Sequence, residues 1–582
     1  MKKLFIYLIT LFLVGCSTKP IQDNHTFQGI GQGKEGDIVV DVVIKNDIIE
    51  HIELLKHNEV PGFSNKMILL ADEIVSKNRV DVDIIAGATL TSQGFIDAVQ
   101  DALNQAGVTQ EDLIIANQKE QEQKIIEKTQ DLIIVGGGGA GFIAGIQAKL
   151  LGIEKVTIIE KMAFNGGNTR MSGGEYACYN NWIQQKEGIQ DSKSDFIEDV
   201  LISGQGRSNE KLVQTLADHV LENAYWLKNE IGVRYKDEQS WYGGHRVPRT
   251  LWPLGDGPAY MNTLANKAGE LGVNVIYNMK ASEIMMENGK AIGIKAYQNN
   301  NIYHFYSDLG VILTTGGFGA NVDMREYYNT SWPTLDKSIP TTNSPAIVGD
   351  GIAMAQKVGA NLIDMDAIQL YPINNPATGN YYFVDYARLN GNALLVNKQG
   401  KRFVDEKETR EILSKAAIEQ EDAIIYEIID DQVAKEMNLE EDYADEIARC
   451  LDQGVLVKGN LKECAAYFDI PYKNLEETIN NYNRMVENGK DYDFNRQDLS
   501  KIGDGPYLMF ACIVSVHHTM GGIQIDEKAH VIDIHGNIIP NLYAAGEVTG
   551  GIHGANRLGS LSIPDTVCFG RIATTTAYNE HQ

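Results

Sequence analysis

Five glycines lie in one short segment directly after a short apolar stretch. Residues 131–135 read Asp-Leu-Ile-Ile-Val and run into the letters Gly-Gly-Gly-Gly-Ala-Gly at 136–141. A helix-compatible stretch and a second apolar strand follow, and that strand ends at Glu160. Glycines at such a turn let a pyrophosphate approach the N-terminus of the next helix, and an acid about 20 residues on accepts hydrogen bonds from a ribose. The order strand, glycine turn, helix, strand and acid therefore predicts a dinucleotide-binding unit.

A group of hydroxyl side chains among small residues offers different chemistry. Asp83 is followed by the letters Ala-Gly-Ala-Thr at 86–89 and then by Thr91 and Ser92. A hydroxyl flanked by small residues leaves room for a bulky phosphoryl donor. The same letters also fit an ordinary Gly-Ala turn that continues as a strand.

Arginine and histidine residues stand in three separate motifs of the second half of the chain. Taken alone, Arg410 among Glu408 and Glu411 would be a surface ion pair, and His517-His518 would be a loop pair. Their joint occurrence points to a reaction site instead. The motifs are Lys401-Arg402-Phe403-Val404-Asp405-Glu406 with Thr409-Arg410, His517-His518-Thr519-Met520-Gly521-Gly522, and His553-Gly554-Ala555-Asn556-Arg557-Leu558-Gly559.

The elements that position these residues belong to a chain of 582 residues, long enough for about three to five domains. Hydrophobic residues are 43% and charged residues 22%, which is ordinary globular composition. The net charge of −27 and the pI near 4.9 disfavour non-specific nucleic-acid binding. Glycine is frequent (56) while proline is rare (14), which indicates many close backbone approaches rather than a low-complexity linker.

Residues 27–106 predict a small α+β module, with short apolar runs followed by helices over Phe63–Lys77 and 93–105. Residues 107–129 are rich in Gln, Glu and Lys, which predicts a linker or a solvated helix. A new domain opens near residue 130. The cysteines are widely spaced and form no C-x-x-C or C-x-x-C-H motif, so we expect neither a metal site nor a c-type haem.

The first residues have the pattern of an export signal. Met1-Lys2-Lys3 is basic, and an apolar run over 4–14 follows that is too short to span a membrane. The run ends in Leu-Val-Gly before Cys16, which resembles a bacterial lipobox. We therefore expect residues 1–16 to act as a lipoprotein signal, with Cys16 lipidated and the protein anchored on the outer face of the cell membrane. A simple secretory signal with an incidental cysteine is the alternative.

From residue 130 onward the chain resembles the flavoprotein subunit family of fumarate reductases and succinate dehydrogenases. Within that family it resembles the soluble one-chain branch, which includes urocanate reductase. The resemblance rests on the three motifs, in the family's order, together with the Thr-Gly-Gly turn at 315–317. It implies an α/β fold with a two-dinucleotide-binding-type FAD domain (130–364 and 505–582) and an inserted α+β capping domain (365–504). An α+β FMN-binding domain (27–106) would precede them.

The resemblance implies non-covalent FAD as the dinucleotide. The residues that it places around FAD are Gly136, Gly138, Ala140, Gly141, Glu160, Asn168, Thr169, Gly173, Gly174, Ala281, Asp350, His518, Glu547, Ser562 and Ile563.

The stretch from Asp83 to Ser92 resembles the site at which a flavin transferase attaches FMN to a threonine through a phosphodiester. Thr89 is the expected attachment point and Thr91 the alternative. The chain departs from the usual pattern at Ala86, where the family has Ser or Thr.

The family transfers a hydride from reduced FAD to the β-carbon of an α,β-unsaturated carboxylate and a proton to the α-carbon. The resemblance makes Arg410 the proton donor, with Asp385 and Arg388 as the pair that reprotonates it. His517 and Arg557 would bind the substrate carboxylate, Arg557 through a bidentate fork.

Substrate identity depends on Tyr371. Fumarate reductases of this branch have a histidine there for a second carboxylate, whereas a tyrosine beside Asp385 suits an aromatic ring. The pair resembles urocanate reductase, and Trp241, Tyr242 and Trp252 could add aromatic walls. Fumarate and cinnamate-type acids are the alternative substrates.

As partners we expect a flavin transferase and a membrane quinone or flavin donor. A surface electron carrier without catalysis is the rival function.

Overall fold

The computed structural model describes residues 25–34, 36–57, 63–82, 89–119 and 124–582. These residues form two compact units, an N-terminal unit that ends at Lys124 and a C-terminal unit over Ile125–Gln582. Both units mix helices and strands, so the predicted α/β class is confirmed. Residues 1–24 lie outside the described residues, and so do the predicted signal and Cys16.

The N-terminal unit is an antiparallel sheet packed against helices. The strands lie in the order β1-β2-β3. Helix α2 lies so close to β1 that a Cβ on Gly29 would come within 1.9 Å of the Ala98 carbonyl oxygen. The elements are β1 (His25–Gln32), β2 (Asp37–Lys45), β3 (Ile48–Lys56), α1 (Phe63–Lys77), α2 (Thr89–Ala106) and α3 (Gln110–Lys119).

Helix α1 has the predicted bounds, but α2 begins at Thr89 rather than at residue 93. The segment Thr89-Leu90-Thr91 is therefore helical and does not continue as a strand. Threonine and serine suit the first turn of a helix because their oxygens can accept from unpaired backbone N–H groups there.

The polar stretch 107–129 is only partly a linker. It contains α3, and its last residues already belong to β4 (Ile125–Gln130), the edge strand of a sheet in the C-terminal unit. β4 has mostly exposed side chains. An exposed edge strand lacks the alternation of apolar residues by which strands are recognised, which is why the sequence did not reveal it.

The C-terminal unit begins with the nucleotide-type part of the fold. Its elements up to residue 363 are β4, β5 (Leu132–Val135), α4 (Gly139–Leu150), β6 (Val156–Ile159), α5 (Gly167–Met171), β7 (Tyr176–Ala177), α6 (Trp182–Glu187), α7 (Lys193–Ser203), α8 (Glu210–Trp226), β8 (Thr250–Leu251), α9 (Asp256–Glu270), β9 (Asn274–Ile276), β10 (Lys280–Glu287), β11 (Lys290–Gln298), β12 (Asn301–Ser307), β13 (Val311–Leu313), α10 (Val322–Tyr328), α11 (Asp350–Lys357) and β14 (Leu362–Ile363).

The remaining elements form the capping part and the return to the nucleotide fold. They are β15 (Ile368–Asn374), α12 (Tyr386–Asn390), β16 (Leu394–Val396), α13 (Arg410–Ile418), β17 (Ile425–Asp430), α14 (Asp431–Glu436), α15 (Leu439–Asp442), α16 (Ala444–Asp452), β18 (Leu456–Gly459), α17 (Leu461–Tyr467), α18 (Tyr472–Glu487), β19 (Tyr507–Thr519), β20 (Gly522–Gln524), β21 (His530–Ile532), β22 (Ile538–Ala544), β23 (Thr549–Gly550) and α19 (Ser562–Asn579).

A six-stranded sheet in the order β21-β22-β13-β5-β6-β9 forms the centre of the nucleotide fold. All neighbouring pairs except β21 with β22 are parallel. Strands β5 and β6 are completely buried, as expected for parallel strands covered on both faces. In such sheets the ligand crevice lies beyond the carboxyl ends of the strands.

A five-stranded sheet forms the capping part, and β19 is its central strand. β19 pairs with β15, β17 and β18 and then continues to His517 and His518. The domain boundary predicted at residue 505 falls just before β19, which pairs with strands on both sides of it in this sheet.

No helix among the described residues is long and apolar enough to cross a bilayer. In the same residues, no cluster of three potential metal ligands occurs, and Cys178, Cys450, Cys464, Cys512 and Cys568 are all buried free thiols.

Candidate active site

A cleft of about 1200 Å³ opens at the carboxyl ends of β5, β6 and β13. The glycine turn forms its floor, with Gly138 at the N-cap of α4. A Cβ on Gly138 would meet nothing nearer than a carbonyl oxygen at 3.9 Å, so the missing side chain is open space in the cleft. The N-cap residues of α4 and α19 make no side-chain cap, and the Gly139 N–H of α4 donates to Thr169 Oγ1 at 3.3 Å. An anionic ligand could accept from the other N–H groups of these N-termini.

Glu160 directly follows β6 and lines the cleft, the position predicted for the acid that binds a dinucleotide ribose. Its carboxylate accepts hydrogen bonds of 2.7 Å from the backbone N–H groups of Gly137 and Met162, which fixes it against the glycine turn. Most of the residues predicted to surround FAD line this cleft. They are Gly136, Gly138, Ala140, Glu160, Asn168, Thr169, Ala281, Asp350, His518, Glu547, Ser562 and Ile563.

Three glycines predicted to contact FAD lie elsewhere. Gly141 faces the strand side of α4, where a Cβ would come within 2.0 Å of the Gly136 carbonyl oxygen, so its role is close helix–strand packing. Gly173 lines the neighbouring cavity, and Gly174 turns with φ +71° against Pro253. The spacing of glycines in the sequence could not distinguish a packing glycine from a ligand-facing one.

Hydrogen bonds fix the polar wall of the cleft. Asn168 donates to Glu547 Oε2 at 2.9 Å, and the Thr519 N–H donates to Glu547 Oε1 at 3.1 Å. Burial raises the pKa of Glu547 and lowers the pKa of His518 well below its usual value. The shape of the cleft and its glycine floor fit FAD, and so do the two helix N-termini and the acid Glu160. FAD would supply a hydride when bound.

A second cavity adjoins the cleft and is lined by two of the three predicted catalytic residues, Arg410 and Asp385, while Arg388 lines a third cavity. The second cavity has a volume of about 540 Å³ and shares His517, Arg557 and Tyr381 with the cleft. Tyr371 also lines it. The fold thus brings together residues from β15, α13, β19 and the loop before α19.

Two guanidinium groups give this cavity its positive charge. Arg557 is buried, and burial together with the charge of Arg410 lowers its pKa to about 9. Among the described residues, the Nε atoms of Arg410 and Arg557 have no hydrogen-bond partner although both are buried. Gln369 Oε1 accepts from both guanidinium groups, at 3.5 and 3.2 Å. Two repelling cations with unused donors form a site for an anion.

His517 is a neutral member of the same group. Burial and the charges of Arg410 and Arg557 hold its pKa well below the usual value. Its Nδ1 is 2.8 Å from the Thr342 hydroxyl. The tautomer that suits an anionic ligand has Thr342 donate to Nδ1, which leaves the Nε2 proton for a carboxylate.

The predicted relay residues form one hydrogen-bonded group. The Tyr371 hydroxyl donates to Asp385 Oδ2, and Arg388 donates to both Asp385 oxygens at 2.6 and 2.8 Å. The Arg410 guanidinium lies 4.9 Å above the Tyr371 ring. Tyr371 thus contacts both groups, Asp385 through a hydrogen bond and the Arg410 guanidinium through its ring.

Aromatic residues and a further acid complete the cavity. Tyr242 and Trp252 line it as predicted, whereas the Trp241 indole N–H turns to the His245 carbonyl oxygen and Trp241 is absent from the cavity wall. Glu175 also lines it and accepts from the Tyr242 hydroxyl at 2.8 Å. Sequence reasoning missed Glu175, Gln369 as a bridge, and Thr342, because only the fold brings them to the motif residues.

The N-terminal unit shows part of the predicted FMN site. Residues 83–88 lie outside the described residues, and so does the side chain of Thr89, whose backbone begins α2. Thr91 is 2% exposed. A bulky phosphoryl-flavin cannot reach a buried hydroxyl, so burial disfavours the alternative attachment point.

Comparison with known proteins identifies both units. The FAD binding domain family matches residues 131–563, and the FMN-binding domain family matches residues 33–104. The urocanate reductase of Eggerthella lenta is 36% identical over 98% of this chain and 96% of its own length. The chain belongs to this family of FAD-dependent fumarate and urocanate reductases with an N-terminal FMN-binding domain.

Other members of the family match most of the chain. A cytochrome-type fumarate reductase of Shewanella frigidimarina is 36% identical over 76% of each chain. The open conformation of a flavocytochrome c3 fumarate reductase superposes with a TM-score of 0.65, at 30% identity over 86% of this chain and 85% of that one. Membership makes the chain a flavin-dependent oxidoreductase with FAD and FMN domains, as predicted.

Proposed function

We propose that this protein reduces urocanate to dihydrourocanate, with the hydride delivered from FAD and the proton from Arg410. The observation that carries the proposal is the cavity next to the flavin cleft, which two guanidinium groups and a histidine line together with tyrosines and two acids. Urocanate has the matching groups, because a carboxylate and an imidazole ring flank its double bond.

The guanidinium groups and the histidine would hold the substrate carboxylate. Arg557 and His517 line both the cleft and the cavity, so a carboxylate bound to them keeps the double bond beside the flavin. Their N–H groups would stabilise the negative charge that develops toward the α-carbon as the hydride arrives. Arg410, which donates to the same Gln369 oxygen as Arg557, would then supply the proton.

The part of the cavity that does not line the cleft would hold the ring. Tyr371 and Tyr242 line it together with Glu175 and Asp385. An imidazole N–H can donate to either acid while its ring contacts the tyrosines. The second carboxylate of fumarate would instead meet two acids of its own charge. Such contacts cost several kcal/mol, and about 3 kcal/mol corresponds to roughly a hundredfold in kcat/KM.

The test is anaerobic turnover of urocanate and fumarate with reduced viologen as donor. We expect kcat/KM for urocanate to exceed that for fumarate by about a hundredfold, and Asp385→Asn to narrow the ratio. The exposed variant Asp452→Asn serves as the matched control and should leave the ratio unchanged. Equal rates, or faster fumarate reduction, would refute the aromatic-ring assignment. The absence of turnover with any enoate would favour the electron-carrier function.

We also propose that the protein is exported and anchored to the membrane through a lipid on Cys16, where a membrane quinone or flavin donor would reduce its FMN. The proposal is supported by the basic, apolar and Leu-Val-Gly-Cys segments of residues 1–16. Labelling with a radioactive fatty acid should mark the wild type and not Cys16→Ser. Equal labelling of both proteins would contradict it.

A further inference from the structure

Hydrogen bonds run in both directions between helix α12 and the turn over residues 405–409, which precedes α13. Arg388 of α12 donates through Nη1 to the carbonyl oxygen of Glu406 at 2.6 Å. The next residue of the turn, Lys407, donates back through Nζ to the carbonyl oxygens of Leu389 and Gly391, at 3.0 and 3.1 Å. Because the two links are reciprocal, α12 cannot shift against this turn without breaking one of them.

The two linked elements carry the groups of the predicted proton relay. Arg388 lies on α12 and donates to both oxygens of Asp385, at 2.6 and 2.8 Å. Arg410 begins α13, three residues after Lys407. Tyr371 contacts both sides, because its hydroxyl donates to Asp385 and its ring lies 4.9 Å from the Arg410 guanidinium. A shift of α12 against the turn would therefore change the spacing between the relay pair and the proton donor.

The turn is the firmly anchored side of this arrangement. The carboxylate of Glu406 is fully buried and accepts from Arg402 at 2.7 and 2.8 Å and from Arg496 at 3.1 Å. A buried carboxylate with two guanidinium partners is costly to displace, because any one of the three charges would be left unpaired. Helix α12 has five residues and no side-chain cap at its N-terminus. A helix this short depends on contacts with its surroundings.

The Lys407 amine is held mainly by its carbonyl acceptors. Its side chain is mostly buried, and Asp498, which is about half exposed, lies 3.3 Å away. Burial, together with the charges of Arg496 and Arg388, lowers the pKa of Lys407 to about 8 although Asp498 opposes this. Carbonyl groups at the end of a helix suit an amine donor. The surroundings thus disfavour the charge, while the hydrogen bonds to α12 keep the amine in place.

We propose that Lys407 is a positioning residue of the proton relay, which holds Arg388 and Asp385 at a fixed spacing from Arg410. The proposal rests on the proposed function, in which Arg410 gives one proton to the α-carbon and regains one from solvent by way of the Asp385 side. Lys407 is not among the residues that line the flavin cleft or the substrate cavity. It acts through α12, so its loss should slow reprotonation and leave substrate binding unchanged.

The decisive variant is Lys407→Met, which keeps the apolar stem and removes every N–H donor. We expect normal FAD content, an unchanged KM and a larger solvent isotope effect, with kcat about tenfold to a hundredfold lower. Lys407→Gln, whose amide is too short to reach both carbonyls, should behave alike and serves if Lys407→Met does not fold. Lys407→Arg keeps the donors and should recover part of the rate. Lys462→Met, at an exposed position on α17, is the matched control and should equal the wild type.

Amide hydrogen exchange of the FAD-loaded protein without substrate gives a readout besides activity. Lys407→Met should speed exchange in peptides that cover residues 386–391, and Lys462→Met should not. Unchanged exchange there would overturn the proposal. Faster exchange with kcat within about twofold of wild type would overturn it too, because Lys407 would then have a merely structural role.

The same measurements separate this proposal from the proposed function. If the wild type reduces no enoate, the proposed function fails and the relay role fails with it. The exchange result would then still report whether Lys407 holds α12. If the wild type reduces urocanate and Lys407→Met matches it in kcat and isotope effect, only the role of Lys407 fails.

Discussion

Arg410 and Arg557 come from distant positions in the chain to one buried space, where the charge of Arg410 lowers the tendency of Arg557 to stay charged. The Arg557 pKa is lowered to about 9 chiefly by burial and then by Arg410. A buried pair of like charges is costly until an anion enters. The site therefore suits a ligand with a carboxylate here, and Gln369 bridges the two guanidinium groups by accepting from both.

The role of Arg410 is testable by a change that keeps the charge. Arg410→Lys preserves a cation but loses the planar group that lies over Tyr371, so proton delivery and its relay should fail together. We expect kcat to fall by about 10²- to 10⁴-fold, with FAD content unchanged. Steady-state kinetics with reduced viologen measure it, and the exposed Arg484→Lys is the control. A loss smaller than about tenfold would exclude Arg410 as the proton donor.

At the scale of secondary-structure elements, the turn between β5 and α4 determines whether FAD can bind. Gly138 faces the open cleft and Gly141 faces the strand, so two glycines of one motif have different physical roles. A methyl group at 138 would occupy the space of the ligand and leave the protein fold untouched, whereas one at 141 would clash with the backbone.

We therefore expect Gly138→Ala to fold normally but to lose most of its FAD. Absorbance of the bound flavin and circular dichroism of the apoprotein separate the two effects. Gly269→Ala is the control, because α9 presents that position to open space and a Cβ would meet no atom within 4 Å. Full flavin content in Gly138→Ala would show that the ligand does not approach this turn.

At the scale of the whole molecule, we expect electrons to pass from one flavin domain to the other within the chain. The FMN-binding match covers residues 33–104 and the FAD-binding match covers 131–563. Electrons would enter at FMN and reach the substrate through FAD, so a variant without FMN should lose turnover with the physiological donor while its C-terminal unit stays intact.

The attachment residue can be tested in the full chain. We expect Thr89→Ala, co-expressed with a flavin transferase, to lose the flavin that remains with the protein after acid precipitation. Thr91→Ala should retain it, because the Thr91 side chain is buried. Fluorescence of the acid-precipitated pellet measures the difference. Retention in both variants would show that the FMN is attached elsewhere or not covalently.

The sequence by itself determined the dinucleotide unit and the family. Strand, glycine turn, helix, strand and Glu160 are local in the chain, and local order is readable because turn chemistry and hydrophobic period depend on near neighbours. The helix α1 was predicted with its correct bounds for the same reason. The edge strand β4 and the start of α2 were not, because exposed or hydroxyl-rich segments carry little periodic signal.

Only the tertiary structure decided which residues share the site. Tyr371 and Asp385 stand 14 residues apart in the sequence, and only the fold brings the Tyr371 hydroxyl to the Asp385 carboxylate. Glu175, Thr342 and Gln369 likewise gain a role only by contact with motif residues far away in the chain. The energies that matter here, burial of charge and repulsion between buried cations, depend on distance in space, and the order of residues does not specify that distance.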